Sequence, residues 1–475
     1  MKFTLYILLL ISLSGCTLQH GQPPASADIE ANLSIQYEQN DVSIDENSEW
    51  WKKISRDEEL SDLIEQLLNQ SFELVSAASR IRQASARHQQ VYGDLLPTLN
   101  ARLSATEVEL DDGATSNSSD NFNLGFDFSW NVDVFGGLRS ASEAQRLSFL
   151  SQIAAEKSLR QSLIVNLTNL YIQGWAVKEE LHITQSLANS FENTLALTEE
   201  RFRNGVEGTD ATDVALAKQN LADALAGIPS LKAQLKTISY SINVLVGNSP
   251  SRKIYRFDAL ISAKNLTDMP TTVPSQILIL RPDVYESRLA YEAARADVRA
   301  ANADLFPTFS FSASIDDSSK DLSSVIDLDA WVASFVGNIL APIYAGEKLR
   351  AAKTIAEEKA RELSATYATT ILNAVLDVEK AIVDEQALIE QLTLSKASLD
   401  AAHVSDLLGR KRYTSGQQSL LTILETSRAL NNAKLSYLNI QRSRIEARVA
   451  LFLALGGVWT NTPIDEIPVQ RRMNN

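Results

Sequence analysis

The residue types that most often carry catalysis or bind metals are few in this 475-residue chain, and they lie far apart. The chain contains one cysteine, Cys16, and four histidines, which are His20, His88, His182 and His403. A nucleophile–base pair or a zinc site needs such side chains to converge, and these separations match no familiar ligand spacing. Carboxylates are abundant, but on helical segments they are usually solvated. The sequence therefore predicts no enzyme activity and no metal or cofactor site.

A different kind of chemistry is indicated by LTILETSR (421–428), in which Thr422, Glu425 and Arg428 recur every third residue. Side chains at this spacing lie on roughly one face of an α-helix. A carboxylate and a guanidinium placed there can attract or repel ions and can bind neighbouring helices. The alternative is an ordinary surface pair, which stabilises a helix by roughly 0.2–0.5 kcal/mol.

The segments before these residues form matched turns. RFRNGVEG (201–208) and RYTSGQQS (412–419) are 211 residues apart and align an arginine, an aromatic residue and a glycine. Each glycine is predicted to supply the left-handed residue that ends a helix. Long runs without proline precede the turns, which predicts long helices over 138–203 and 347–415. Return helices are predicted over 212–247 and 420–455.

Two segments upstream of the long helices alternate between apolar and polar residues. In FNLGFDFSWNVD (122–133) the apolar side chains fall on one face, and TFSFSASID (308–316) follows the same pattern. We predict β-hairpins over about 98–133 and 307–341, with the polar run 111–121 as the first loop. Such alternation is typical of strands in a transmembrane barrel, although a soluble sheet can also show it.

The number of strands limits how they can meet a membrane. No run of about 20 apolar residues is available after the N-terminal segment, so a membrane crossing would have to use these strands. Four strands cannot close a barrel, and hydrocarbon does not tolerate open sheet edges. If the strands are transmembrane, several chains must therefore share one barrel. The residues alone leave the number of chains open.

The N-terminus predicts export. Residues 1–15 begin with a lysine-containing start and an apolar run that is too short to span a bilayer, as in a secretory signal peptide. LSGC (13–16) resembles the lipobox of bacterial lipoproteins, which implies cleavage before Cys16 and acylation of that residue; the alternative is a signal peptide with an incidental cysteine. Residues 16–48 read as a polar tether. The formal charge of −15 argues against nucleic acid as a partner.

The order of these elements resembles the TolC-like outer-membrane factors, in particular the lipoprotein branch typified by OprM and NodT. The resemblance covers about residues 50–457 and implies an α+β membrane fold with two structural repeats. Three chains supplying four strands each would form one 12-stranded transmembrane β-barrel, continuous with a long α-helical periplasmic barrel and a small equatorial domain. The motifs that carry the resemblance are DLLPTL (94–99), NVDVFGG (131–137), LILRPDV (278–284), DLFPTF (304–309), APIYAGEKLR (341–350) and LFLALGG (451–457).

The same resemblance implies the domain organisation. Repeat 1 would occupy 49–250 and repeat 2 would occupy 281–457, each with a helix, a β-hairpin, a long helix and a return helix. Residues 251–280 would form the inter-repeat equatorial linker, and 458–475 a C-terminal tail.

The resemblance also implies roles for individual residues. Tyr413, Glu425 and Arg428 would form the periplasmic gate, with Glu425 giving a ring of three negative charges. Thr422 stands where some relatives carry a second aspartate, so this ring would be less negative. Two carboxylates after the first turn, Asp210 and Asp213, can face either the lumen or an adaptor. The turn tips that would dock the adaptor are Asn204, Gly205, Val206, Ser415, Gly416 and Gln417.

The function implied is the outer-membrane exit channel of a tripartite efflux pump, passively conducting small molecules. The channel would be a lipid-anchored homotrimer that works with a periplasmic adaptor and an inner-membrane transporter. Two alternatives stay open: the outer-membrane channel of a type I protein secretion system, and an acylated periplasmic coiled-coil scaffold with a soluble β-domain.

Overall fold

The computed structural model describes residues 25–26, 28–29, 58–111, 116–258, 281–320 and 331–456. The described elements follow the same order in both halves of the chain, apart from one additional helix at the start. In chain order they are α1 Glu58–Gln70, α2 Phe72–Gly93, β1 Thr98–Asp111, β2 Ser116–Val132, α3 Gly137–Arg203, α4 Ala211–Leu245, α5 Pro282–Ala303, β3 Thr308–Ser319, β4 Trp331–Leu340, α6 Lys348–Thr414 and α7 Leu420–Ala454.

The switch from helix to strand is made by the same local chemistry in both halves. Pro97 and Pro307 have no backbone N–H and disfavour helical geometry in the residue before them, so each helix ends a few residues earlier. The backbone N–H of Leu96 then donates to the Gly93 carbonyl at 3.0 Å, and that of Phe306 donates to the Ala303 carbonyl at 2.9 Å. The following strands begin at Thr98 and Thr308.

The four strands form one antiparallel sheet in the order β1-β2-β3-β4. Its register places Phe126 opposite Ala101 on β1 and Ile315 on β3, so the apolar side chains of neighbouring strands share one face.

The first loop is shorter than the sequence predicted. Residues 116–121 pair with β1 instead of belonging to the loop, because the ladder uses backbone groups that even turn-favouring Ser and Asn carry.

The long helices are close to the predicted ranges because no proline interrupts them and strong helix formers fill them. α3 and α6 each contain 67 residues, and the return helices α4 and α7 each contain 35. Within the ranges that the structure describes, no helix combines the length and the apolar character needed to cross a bilayer.

The chain divides into two compact units, each built from both sequence halves. One unit includes the sheet and draws on Ser79–Ala154 and Tyr285–Thr370. The other draws on Ala155–Val284 and Ile371–Asn475, together with α1. Each unit therefore needs segments of the first and second halves to complete its packing.

A glycine in α3 accommodates an aromatic anchor in the second unit. Phe257 is 1% exposed, and a Cβ added at Gly174 would lie 2.4 Å from its Cε1. The backbone N–H of Phe257 donates to the Glu59 carboxylate at 3.3 Å, so the segment after α4 is attached to α1 as well. Only glycine lets the helix approach the ring this closely.

We expect Gly174→Ala to destabilise this unit by about 1–3 kcal/mol, because the added methyl overpacks the ring of Phe257. Gly227→Ala in α4 is the matched control, since its new Cβ would make an ordinary 3.7 Å contact with Thr184. That control is expected to gain up to about 1 kcal/mol from helix propensity. Thermal unfolding of both variants by circular dichroism checks the prediction, and equal midpoints would contradict it.

Candidate functional site

The two turns have the same hydrogen-bonding pattern. Val206 N–H donates to the Arg201 carbonyl at 3.0 Å, and Gln417 N–H donates to the Arg412 carbonyl at 2.8 Å. Gly205 and Gly416 have φ values of 62° and 75°. Both turns are thus Schellman motifs with glycine in the left-handed position, as the sequence predicted for the helix ends. The six tip residues named above are all exposed.

The carboxylates after the first turn have a local role that the sequence reasoning missed. Asp210 Oδ1 accepts from the N–H groups of Thr212 and Asp213 at 2.7 and 3.1 Å, and Asp213 Oδ2 accepts from the N–H of Asp210 at 3.2 Å. This reciprocal arrangement is a capping box at the start of α4. The signal was present as two acidic residues three apart just before a helix. The cap does not decide whether either carboxylate also faces a lumen.

Hydrogen bonds from the Asp213 and Thr212 backbones lower the pKa of Asp210 below its ordinary value of 3.8. A depressed carboxyl pKa contributes stability that is present above 3.8 and is lost as the pH falls through the lower, folded value. We expect hydrogen exchange at the start of α4 to increase as the pH falls from about 5 to about 3. Asp210→Asn keeps a capping side chain that does not ionise, so the increase, corrected for intrinsic exchange, should be absent there. A pH response equal to that of the wild type would contradict this assignment.

Tyr413 connects the second turn to the first long helix. It is 3% exposed, and its hydroxyl lies 2.8 Å from Thr198 Oγ1 on α3. Arg201, also on α3, donates to the Tyr413 carbonyl at 2.8 Å, and its guanidinium carbon lies 4.8 Å from the centroid of the Tyr413 ring. A cation near the C-terminal end of a helix is stabilised by the helix dipole. Arg201 was visible in the sequence only as the arginine common to both turns.

Arg428 also binds a helix of the other half. Its Nη2 donates to Asn220 Oδ1 on α4 at 2.5 Å, and the amide of Asn220, which is 2% exposed, donates in turn to the Leu216 carbonyl at 2.8 Å. Among the described residues, Arg428 forms no ion pair with Glu425. The two side chains are therefore not the ordinary surface pair of the alternative interpretation. We refer to Thr198, Arg201, Asn220, Tyr413 and Arg428 as the tip cluster.

The other two residues of the predicted face lie in different surroundings. Glu425 is exposed, whereas Thr422 is half-buried and its hydroxyl lies 3.1 Å from that of Ser419. The face therefore presents a solvated carboxylate beside a guanidinium that is already bound.

A second polar connection lies further along the same helices and was not found from the sequence. Arg410 on α6 donates to both oxygens of Asp406, to Ser190 Oγ on α3 at 2.5 Å and to Ser427 Oγ on α7 at 2.9 Å. Ser427 donates to Asp406 at 2.6 Å, and Asp406 is buried. The cluster joins three helices through residues up to 220 positions apart, a distance that sequence periodicity cannot bridge.

A fully buried ion pair connects α6 to α7 within the second unit. The guanidinium of Arg448 donates to both oxygens of Glu385, with Nε at 3.0 and 2.8 Å, and the two residues are 2% and 0% exposed. Arg444 Nε lies 3.9 Å from the same carboxylate. Burial lowers the pKa of Arg444, and the Glu385 charge opposes that shift. In this part of the chain the helices are connected by charge as well as by apolar packing.

Comparison with known proteins decides what kind of molecule carries these features. The model of the outer membrane efflux protein family matches residues 63–248 and 273–457. This chain belongs to the outer membrane efflux protein family. The two matches follow one another along the chain and together cover most of it.

Individual members of the family agree along nearly the whole length. This efflux protein is 30% identical over 421 residues to the pyoverdine export outer membrane protein OpmQ of Pseudomonas putida, covering 86% of this chain and 88% of that one. It is 26% identical over 457 residues to the cation efflux system protein CusC of Escherichia coli O6:H1, covering 94% and 97%. The solved structure of the outer-membrane channel OprN superposes with a TM-score of 0.80 at 26% identity, covering 89% of this chain and 98% of that chain.

Several predicted features of this outer membrane efflux protein lie outside the described residues. These are the signal peptide 1–15, the acylation site Cys16, the tether to residue 48 apart from four described positions, most of the linker 251–280, and the tail 458–475. They stay predictions from the sequence.

Proposed function

We propose that this chain is one subunit of a homotrimeric exit duct that carries small molecules from a tripartite efflux pump through the outer membrane. The observation that carries the proposal is the four-stranded sheet of an outer membrane efflux protein. Within the described chain, the outer strands β1 and β4 each pair with another strand along one edge only. An unpaired strand edge is costly in hydrocarbon, so the sheet needs neighbours of its own kind.

The side chains of the sheet support a membrane location. Alternate residues present large apolar groups to solvent on one face of the isolated chain, which suits contact with lipid. Exposed members of this face are Leu99, Leu103, Phe126, Trp130, Phe311, Ile315, Phe335 and Ile339. Three sheets of four strands would close a 12-stranded β-barrel with this face outward, and the long helices would form the periplasmic barrel.

The tip cluster supports a gate at the periplasmic end. Tyr413 joins the two long helices α6 and α3, and Arg428 joins the two return helices α7 and α4. Separating the helices of the two halves at this end would therefore break both contacts. In the trimer Glu425 would place three negative charges around the axis, while Thr422 adds none. An adaptor would shift the closed state toward the open state only if it binds the open tips better. The exposed turn tips are the docking surface in this proposal.

The proposal extends to location and cargo. Cys16 would carry the acyl anchor in the outer membrane. The names of the two relatives give pyoverdine export to one and cation efflux to the other, so the fold serves chemically different small solutes. Both names describe export of small species rather than of proteins, which favours efflux over type I secretion.

Two measurements on the full-length protein test the proposal. Detergent-extracted protein should insert into planar bilayers and conduct ions. Deletion of the gene should raise cellular accumulation of at least one small toxic compound or dye, and a plasmid copy should restore export. A protein that does not conduct would exclude the duct, and unchanged accumulation across antibiotics, detergents and metals would exclude efflux.

A further inference from the structure

An ion pair joins two strands of the sheet that are not adjacent, β1 and β3. Arg102 on β1 lies opposite Gly125 on β2, which lies opposite Asp316 on β3. Arg102 Nη2 donates to Asp316 Oδ1 at 2.9 Å, and Arg102 Nε lies 3.9 Å from Asp127 Oδ2. Since directly paired residues share a face, all of these side chains are on the polar side of the sheet.

Gly125 makes the contact possible. A Cβ added to it would lie 2.2 Å from Asp316 Oδ1, so any side chain would occupy the position of the carboxylate. Adjacent strands are about 4.8 Å apart, which puts β1 and β3 close to 10 Å apart, within reach of an extended arginine only when the strand between them is bare. The absence of a side chain at Gly125 therefore lets Arg102 extend across β2 and bind Asp316.

Few of the described side chains on the polar face are ionised. Among residues of this face whose side chains the structure describes, the remaining members are amides, hydroxyls and, on β4, aliphatic groups. Arg102, Asp127 and Asp316 thus supply the fixed charge of the described part of this face, with two carboxylates for one guanidinium. Each of the three is partly exposed, with 52%, 42% and 28% of its side chain accessible.

We infer that Arg102, Asp127 and Asp316 form a charge filter inside the membrane end of the duct that favours cationic solutes, including organic ammonium ions, over anions. The inference rests on the proposed function, because the polar face becomes a lumen wall only when three sheets close. Each subunit then contributes a net negative charge at one level of the lumen. Rings of fixed carboxylates select cations in this way, and a paired arginine moderates their field.

Single-channel reversal potentials in a KCl gradient test this filter. Arg102→Gln removes the only cation of the set and should raise the K⁺/Cl⁻ permeability ratio roughly twofold at about 0.1 M salt, where screening is moderate. Asp127→Asn removes one carboxylate, leaves the 2.9 Å Arg102–Asp316 bond in place and should lower the ratio by a similar factor. Both shifts should shrink in about 1 M salt.

The matched control is Glu107→Gln, on β1 with the opposite side-chain direction, which should leave the ratio unchanged. A purely structural brace would change thermal stability but would not move the ratio in opposite directions for Arg102→Gln and Asp127→Asn. If both variants conduct ions and keep the wild-type reversal potential, the charge filter is excluded and the proposed function is unaffected. A wild type that does not conduct would overturn the proposed function and this inference with it.

Discussion

Replacing Tyr413 with phenylalanine will raise the leak conductance of the reconstituted channel by about 100-fold. Thr198 has one hydroxyl proton, which it donates to the Thr194 carbonyl at 2.8 Å, so Tyr413 must be the donor in its contact with Thr198. Losing this bond costs about 1 kcal/mol per chain. If three chains open together, about 3 kcal/mol is removed from the closed state, which corresponds to that change in population.

The measurement is the open probability of single channels without an adaptor. Tyr240→Phe is the control, because Tyr240 is exposed on α4 and its hydroxyl is no part of the tip cluster. Arg428→Gln should act in the same direction as Tyr413→Phe, since it removes the charged donor to Asn220. Wild-type open probability in both tip-cluster variants would remove these residues from the proposed gate.

Replacing Arg448 with methionine will lower the thermal unfolding midpoint more than the same replacement of an exposed arginine. The change removes Arg448 from the Glu385 carboxylate, which is 0% exposed, and leaves Arg444 as its one remaining cation among the described residues. Breaking a buried ion pair in this way costs about 3–5 kcal/mol. Thermal unfolding of the purified protein in detergent measures the effect.

Arg361→Met on α6 is the matched control for this prediction. Arg361 pairs with Glu358, but the two side chains are 53% and 59% exposed, so its loss should cost less than about 1 kcal/mol. A second variant, Glu385→Leu with Arg448→Met, replaces the pair by apolar groups and should recover part of the loss. Equal midpoints for Arg448→Met and Arg361→Met would show that the buried pair does not contribute as described.

The sequence was most informative where structure depends on local chemistry. The long helix predicted over 138–203 is Gly137–Arg203 in the structure, because composition and the absence of proline act residue by residue. The left-handed glycines at Gly205 and Gly416 were also predictable, since only the turn geometry is involved. The start of β2 at Ser116 was not, because a polar run can pair through its backbone as readily as it can form a loop.

The contacts of the candidate site depended on which helices meet. Tyr413 binds Thr198 from 215 residues away, and Arg448 binds Glu385 from 63 residues away, so neither pairing can be read from periodicity. Helix spacing indicated that Arg428 shares a face with Glu425, but its partner proved to be Asn220 on another helix. The capping box at Asp210 was local and could have been found from its acidic pair alone.

If each chain contributes one third of a shared membrane duct, as we propose, the detergent-extracted particle has the mass of a trimer. Native mass spectrometry of the full-length protein should give a particle of three chains, each close to the 52.3 kDa of the sequence after processing and acylation. A single chain that stays dispersed without detergent would contradict a shared membrane duct.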